Sequence, residues 1–142
     1  LSLTTSTSWP SFPHSPFSSP QEQLSHVEAF TVVQFSSSIS PWREGLVPSN
    51  RSNLLGAWQW VRGLEAHGTT NTLGVLLACL RIPGVQAVYL LTDGRPDQPV
   101  EVVLAKVQQQ ALGIAVNTIS FNCGEAKAVR FLKELARLTG GR

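Results

Sequence analysis

Ala87-Val88-Tyr89-Leu90-Leu91-Thr92-Asp93-Gly94-Arg95-Pro96 is the stretch from which the fold is read. Its five leading apolar residues, β-branched or aromatic in part, predict a strand buried on both faces, and Thr-Asp-Gly closes that strand with a carboxylate at its C-terminal tip. Open α/β sheets bind their ligands at such tips. Asp93 is also the first aspartate in the chain, so a function that needs one in this region must use it. A plainer reading stands beside this one: Asp-Gly as a turn, Asp bonding its own backbone and Gly at positive φ.

Working outward, Thr72 to Arg81 predicts a helix stopped by Pro83-Gly84. On the other side Pro99 suits a first helical position, and Val100, Val103, Leu104, Val107 and Ala111 recur at helical spacing until Gly113. Ile114 to Phe121 predicts another strand, followed by a helix with Ala128, Phe131, Leu132 and Leu135 on one face and Gly140-Gly141 at its end. Toward the N-terminus, Glu28 to Phe35 is rich in β-formers and ends in three serines, with Ile39 to Trp42 expected to pair back as a short edge strand. Pro48 breaks the chain, and Asn50 or Ser52 can cap a helix carrying Leu54, Leu55, Trp58 and Val61. Trp42, Trp58 and Trp60 are expected to pack as an aromatic cluster, not as a base-stacking surface.

This alternation predicts an α/β domain: a three-layer, doubly wound and mainly parallel sheet, incomplete at its first and last strands. Residues 1–23 form a separate arm rich in Ser, Thr and Pro, through which Pro10, Pro13, Pro16 and Pro20 let no helix run. The domain proper is expected over 24–142, lacking a C-terminal strand, because the chain stops where Gly140-Gly141 would launch one. A truncated domain or a shortened product is the expectation.

Composition removes several classes of function. With a formal charge of +2 and 14% charged residues, the basic side chains scattered singly, nucleic acid is not an expected partner. No apolar run reaches the length of a membrane span, so no membrane partner is expected either. Cys79 falls on the apolar face of a helix and Cys123 after a strand, with no zinc spacing or disulfide framework, which favours a reducing, cytoplasmic setting. Asn50-Arg51-Ser52 matches a glycosylation acceptor and equally suits a helix start. His14, His26 and His67 lack metal spacing.

Gly68-Thr69-Thr70-Asn71-Thr72-Leu73-Gly74 and Leu91-Thr92-Asp93-Gly94, taken in that order, resemble the von Willebrand factor A domain. Phe30 to Phe35 looks like that family's second strand, and Phe121 to Arg142 like the strand and helix ending in Leu-Thr-Gly-Gly-Arg. The likeness covers about Leu24 to Arg142. It is nearest to a subgroup of intracellular A domains with Phe-Ser-Ser and Pro-Trp after the second strand, here Phe35-Ser36-Ser37 and Pro41-Trp42.

The resemblance implies a metal-ion-dependent adhesion site, in which Mg²⁺ or Mn²⁺ is held by Asp-x-Ser-x-Ser on the first strand, by a threonine and by a second aspartate. Thr70 carries over as the hydroxyl ligand and Asp93 as the carboxylate, usually through water; a small hard cation wants such octahedral oxygen. Asp-x-Ser-x-Ser is absent. Its nearest match is Leu1 to Trp9, where Ser6 and Ser8 stand for the serines and Thr4 for the aspartate, and a tract this rich in Ser and Thr also yields such a match by chance. Loss of one carboxylate halves the site's formal charge, at on the order of 4 kcal/mol per unit charge for a contact at about 4 Å in an effective dielectric near 20. Weak or no Mg²⁺ binding is therefore expected.

Three functions follow. The first is a non-enzymatic protein-interaction module presenting Ser36 to Ser40, His67 to Thr72 and Gly94 to Gln98 to a protein partner, an acidic side chain of which would meet the metal-site face. The second is a metal-dependent hydrolase-type enzyme using Asp93, although no phosphate-cradling loop, nucleophile elbow or Cys–His pair is found in the sequence. The third is a non-functional truncated product with exposed sheet edges. Asp97 is expected near the N-terminus of the helix after Pro99, where negative charge suits the dipole.

Overall fold

The computed structural model describes residues 2–5, 27–65, 69–92, 95–120 and 124–142. Along the chain these form β1 (Ser2–Thr5), β2 (Ala29–Phe35), β3 (Ile39–Pro41), β4 (Val47–Pro48), α1 (Arg51–Arg62), α2 (Thr72–Leu80), β5 (Ala87–Thr92), α3 (Val100–Gln110), β6 (Ala115–Ser120) and α4 (Ala126–Thr139). The boundaries have local causes. Asn50 Oδ1 accepts the Asn53 N–H at 2.8 Å and starts α1, and Asn71 Oδ1 accepts the Gly74 N–H at 3.0 Å and starts α2. Gly140, at φ 75°, closes α4 in the left-handed conformation that costs glycine least.

All but one of the β5 residues are buried, as the apolar run predicts. The sheet order is β3-β2-β1-β5-β6, with β4 also on β2. β5 and β6 pair in parallel, Ala87 opposite Ala115 through Thr92 opposite Ser120. The other four pairings are antiparallel, so the sheet is mixed where the sequence reading expects a mainly parallel one. One reason is local, since β3 returns along β2 after the short Ser36–Ser38 turn. The other is β1, which runs opposite to both neighbours, Ser2 facing Val33 and Leu90 and Thr5 facing Phe30 and Ala87. A gap between two like-directed strands can be bridged by ladders of either sense, and apolar content does not encode the direction. β2, β5 and β6 still point the same way. Their last residues, Phe35, Thr92 and Ser120, therefore share one end of the sheet.

Side-chain alternation divides the apolar residues between the two faces. Val33, Val88, Leu90 and Val116 pack with Val75, Leu76 and Cys79 of α2, Val103 and Val107 of α3, and Phe131, Leu132 and Leu135 of α4. On the other face Phe30 and Val32 pack with Ala57 of α1, joined by Trp42, Leu54, Trp60 and Val61. The Trp42 ring stacks on Phe30 at 5.7 Å between centroids, and the Arg43 guanidinium lies 4.9 Å from the Trp42 ring centre. The expected tryptophan cluster is corrected in one member. Trp58 is 45% exposed and Leu55 47%, because α1 carries apolar residues around most of its circumference and turns Leu54, Ala57, Trp60 and Val61 toward the sheet.

Candidate functional site

Three loops meet at the sheet end defined by Phe35 and Thr92. Directly after β2, the Ser36 carbonyl accepts the Asn71 N–H at 2.9 Å, which ties the serine turn to the threonine loop. Thr70 is held from the other side: its N–H donates to Asp97 Oδ1 at 2.9 Å, and its carbonyl accepts the Asp97 N–H at 3.1 Å. Beside this clamp, Gln98 donates through Nε2 to Asn71 Oδ1 at 2.9 Å and accepts the Leu73 N–H at 3.4 Å. Asn71 thus caps α2 and joins two loops at once. Arg95 leads into the third loop and pairs with Glu125 at 2.7 Å, at the start of α4.

The glycine in Thr72-Leu73-Gly74 has a reason in this network. A Cβ there would lie 2.6 to 2.9 Å from the Asn71 side-chain amide, so only glycine leaves the cap in place. Thr72 is buried beneath the loop, and its hydroxyl donates to the Thr70 carbonyl at 3.4 Å. Backbone and side-chain bonds therefore converge on Thr70 from both neighbours. The result is a preorganised face, with Thr70 half-buried at its centre.

Thr70 lies in the loop that opens α2, at the sheet end shared by Phe35 and Thr92. Asp93, His67, Ser6, Ser8 and Cys123 lie outside the described residues, Asp93 next in sequence to Thr92 at the tip of β5. The direction of β1 bears on the first-strand reading of residues 1–9. Its C-terminal residue Thr5 lies against Ala87, at the start of β5, while Ser2 lies against Leu90, nearer the Thr70 end. Asp97 lies in the loop before α3, as expected. Pro99 is the residue preceding α3 and makes no side-chain cap bond, while the Asp97 carboxylate serves Thr70. The roles of Ser36, Asn71 and Gln98 are not among the sequence expectations; the signal for Asn71 is the Asn-Thr-Leu-Gly start of a helix.

Toward a cation, the described donors at this place are the Thr70 hydroxyl and the Asp97 carboxylate, one oxygen of which already accepts a backbone N–H. Among the described residues no group of three or more His, Cys, Asp or Glu side chains is placed to hold a metal ion. Both donors are hard oxygens of the kind Mg²⁺ takes beside its retained waters, but together they carry a single negative charge.

A family model of the von Willebrand factor type A domain matches residues 15–142. Human von Willebrand factor A domain-containing protein 3B is 46% identical over 121 residues, 85% of this chain and 9% of that protein. Its human counterpart 3A is 38% identical over 117 residues, 81% of this chain and 10% of that protein. Human inter-alpha-trypsin inhibitor heavy chain H4 is 31% identical over 87 residues, 53% of this chain and 9% of that protein. The chain thus spans about a tenth of the length of the curated relatives it matches. It belongs to the von Willebrand factor type A domain family, in the subgroup of the domain-containing proteins 3A and 3B.

Proposed function

We propose that this domain is a non-enzymatic protein-interaction module whose metal-ion-dependent adhesion site is degenerate, with Thr70 and Asp93 as its remnants. The observation that carries the proposal is the locking of three loops around Thr70: Asn71 bonds Ser36 and Gln98, and Asp97 bonds Thr70, across loops that are distant in sequence. A face fixed in this way loses little freedom when a partner docks, which favours recognition. The family supports the same class of role.

Weak or absent Mg²⁺ binding is the finer part of the proposal. It rests on charge, because no aspartate precedes Asp93 and the acid beside Thr70 is already committed to a backbone N–H. Where an ion does bind, Thr70 and Asp93 would hold it, and an acidic side chain of the partner would complete its shell. Titration calorimetry of Mg²⁺ and Mn²⁺ into the purified domain should give no saturable heat below millimolar concentration. Tight binding abolished by Asp93→Ala would sink the degenerate-site reading. Protein capture that Thr70→Ala and Asp93→Ala both abolish, with no hydrolytic turnover, is the expected result for the module.

A further inference from the structure

We infer that the outward ridge of α1 is a docking site for an amphipathic helix of another protein, one that presents two apolar side chains between a pair of carboxylates. This surface is separate from the Thr70 face, since α1 covers the Phe30 and Val32 side of the sheet and α2 the Val33 side. No metal enters its recognition.

Helical geometry turns each residue about 100° from the last, which gathers Arg51, Leu55, Trp58 and Arg62 into an arc of about 60°. Ala57, buried against the sheet, lies about 130° round from the middle of that arc. The ridge therefore faces solvent, with Leu55 and Trp58 nearly half-exposed and both arginines exposed. A single exposed leucine carries no meaning. Trp and Arg together do, because they are the side chains that concentrate in binding hot spots: the rigid ring supplies contact area, and the planar guanidinium grips a carboxylate through two N–H groups.

Charge identifies the occupant. α1 contains no acidic residue, and neither Arg51 nor Arg62 has an ion pair among the described residues. Each end of the ridge thus carries an uncompensated positive charge, which an incoming helix offsets with carboxylates at matching positions. At about 1.5 Å rise per residue the two arginines stand about 16 Å apart along the axis, so the partner's acids must be spaced as Arg51 and Arg62 are, with apolar side chains at the places of Leu55 and Trp58. A second copy of this chain does not match, because two α1 ridges meeting on a two-fold axis set arginine against arginine. An anionic membrane does not match either: such surfaces are recognised by clusters of about four to eight basic residues, and this ridge offers only Arg51 and Arg62.

The test uses a fluorescein-labelled, alanine-based helical peptide carrying Glu, Leu, Leu and Glu at this spacing, with a sister peptide in which Lys replaces Glu, and reads anisotropy on the 142-residue chain. The Glu peptide should bind about tenfold tighter than the Lys peptide. Trp58→Ala should weaken its binding about thirtyfold and leave the melting temperature in place, because that ring lies outside the core. Combining Arg51→Glu with Arg62→Glu should reverse the preference between the two peptides, a readout that misfolding cannot produce. Absence of binding, equal binding of both peptides, capture on phosphatidylcholine–phosphatidylserine vesicles that Trp58→Ala abolishes, or a concentration-dependent dimer that Trp58→Ala dissolves would each overturn the proposal.

Discussion

Asp97→Ala tests whether the loop clamp holds the candidate site. The substitution deletes the carboxylate that accepts the Thr70 N–H at 2.9 Å and leaves the reverse bond, Asp97 N–H to the Thr70 carbonyl at 3.1 Å, intact. A hydrogen bond to a charged group contributes about 1.5–3 kcal/mol when shielded from water, and solvent screening at this exposed side chain reduces it to about 1 kcal/mol. That energy corresponds to about a fivefold rise in local opening of the loop at Thr70, which amide hydrogen exchange followed by NMR measures directly. Asp97→Asn keeps an acceptor oxygen and should recover most of the protection. The Val116 amide, bonded to Thr139 on another part of the sheet, should be unaffected. Unchanged exchange at Thr70 in the alanine variant, or equally fast exchange in both variants, would refute the clamp.

Other perturbations probe the scaffold. Thr139→Val removes the hydroxyl that accepts the Val116 N–H, leaving it unsatisfied at the base of the β6 edge, and should cost about 1–3 kcal/mol in urea unfolding. Leu90, fully buried, should cost about 2–5 kcal/mol as Leu90→Ala. Trp58→Ala, for all its lost size, should stay within about 0.5 kcal/mol, because that ring is 45% exposed; equal losses at the two positions would contradict the assignment of the α1 faces. Tyr89, the single tyrosine, has its pKa pushed up to about 12 by burial, against a smaller opposing pull from Arg142. The unfolded chain releases this proton near pH 10 and the folded chain holds it to about 12. Its contribution is thus complete below pH 10 and lost as pH rises between about 10 and 12, which tyrosinate absorbance and denaturant melts should report together.

Much of the scaffold is legible in the sequence, because it rests on short-range patterns. The five-residue apolar run from Ala87, short and bounded by turn residues, suits a buried strand, and the spacing of Val100, Val103, Leu104 and Val107 suits one face of a helix. Asn50 and Gly140 announce helix ends through bonds and φ values that reach no more than a turn away. The Asn71 start of α2 was likewise readable, since its signal lies in the chain itself.

What the linear chain determined by itself is the set of elements, their apolar faces and the family to which they belong, all properties of neighbours within a few residues. Only the folded structure decided which way β1 runs, which side of α1 meets the sheet, and that the Asp97 carboxylate bonds the Thr70 N–H. These outcomes are competitions between alternatives of similar local energy. A strand pairs in either direction, a helix with a broad apolar arc can choose which part of it to bury, and a carboxylate takes whichever N–H tertiary packing brings within reach.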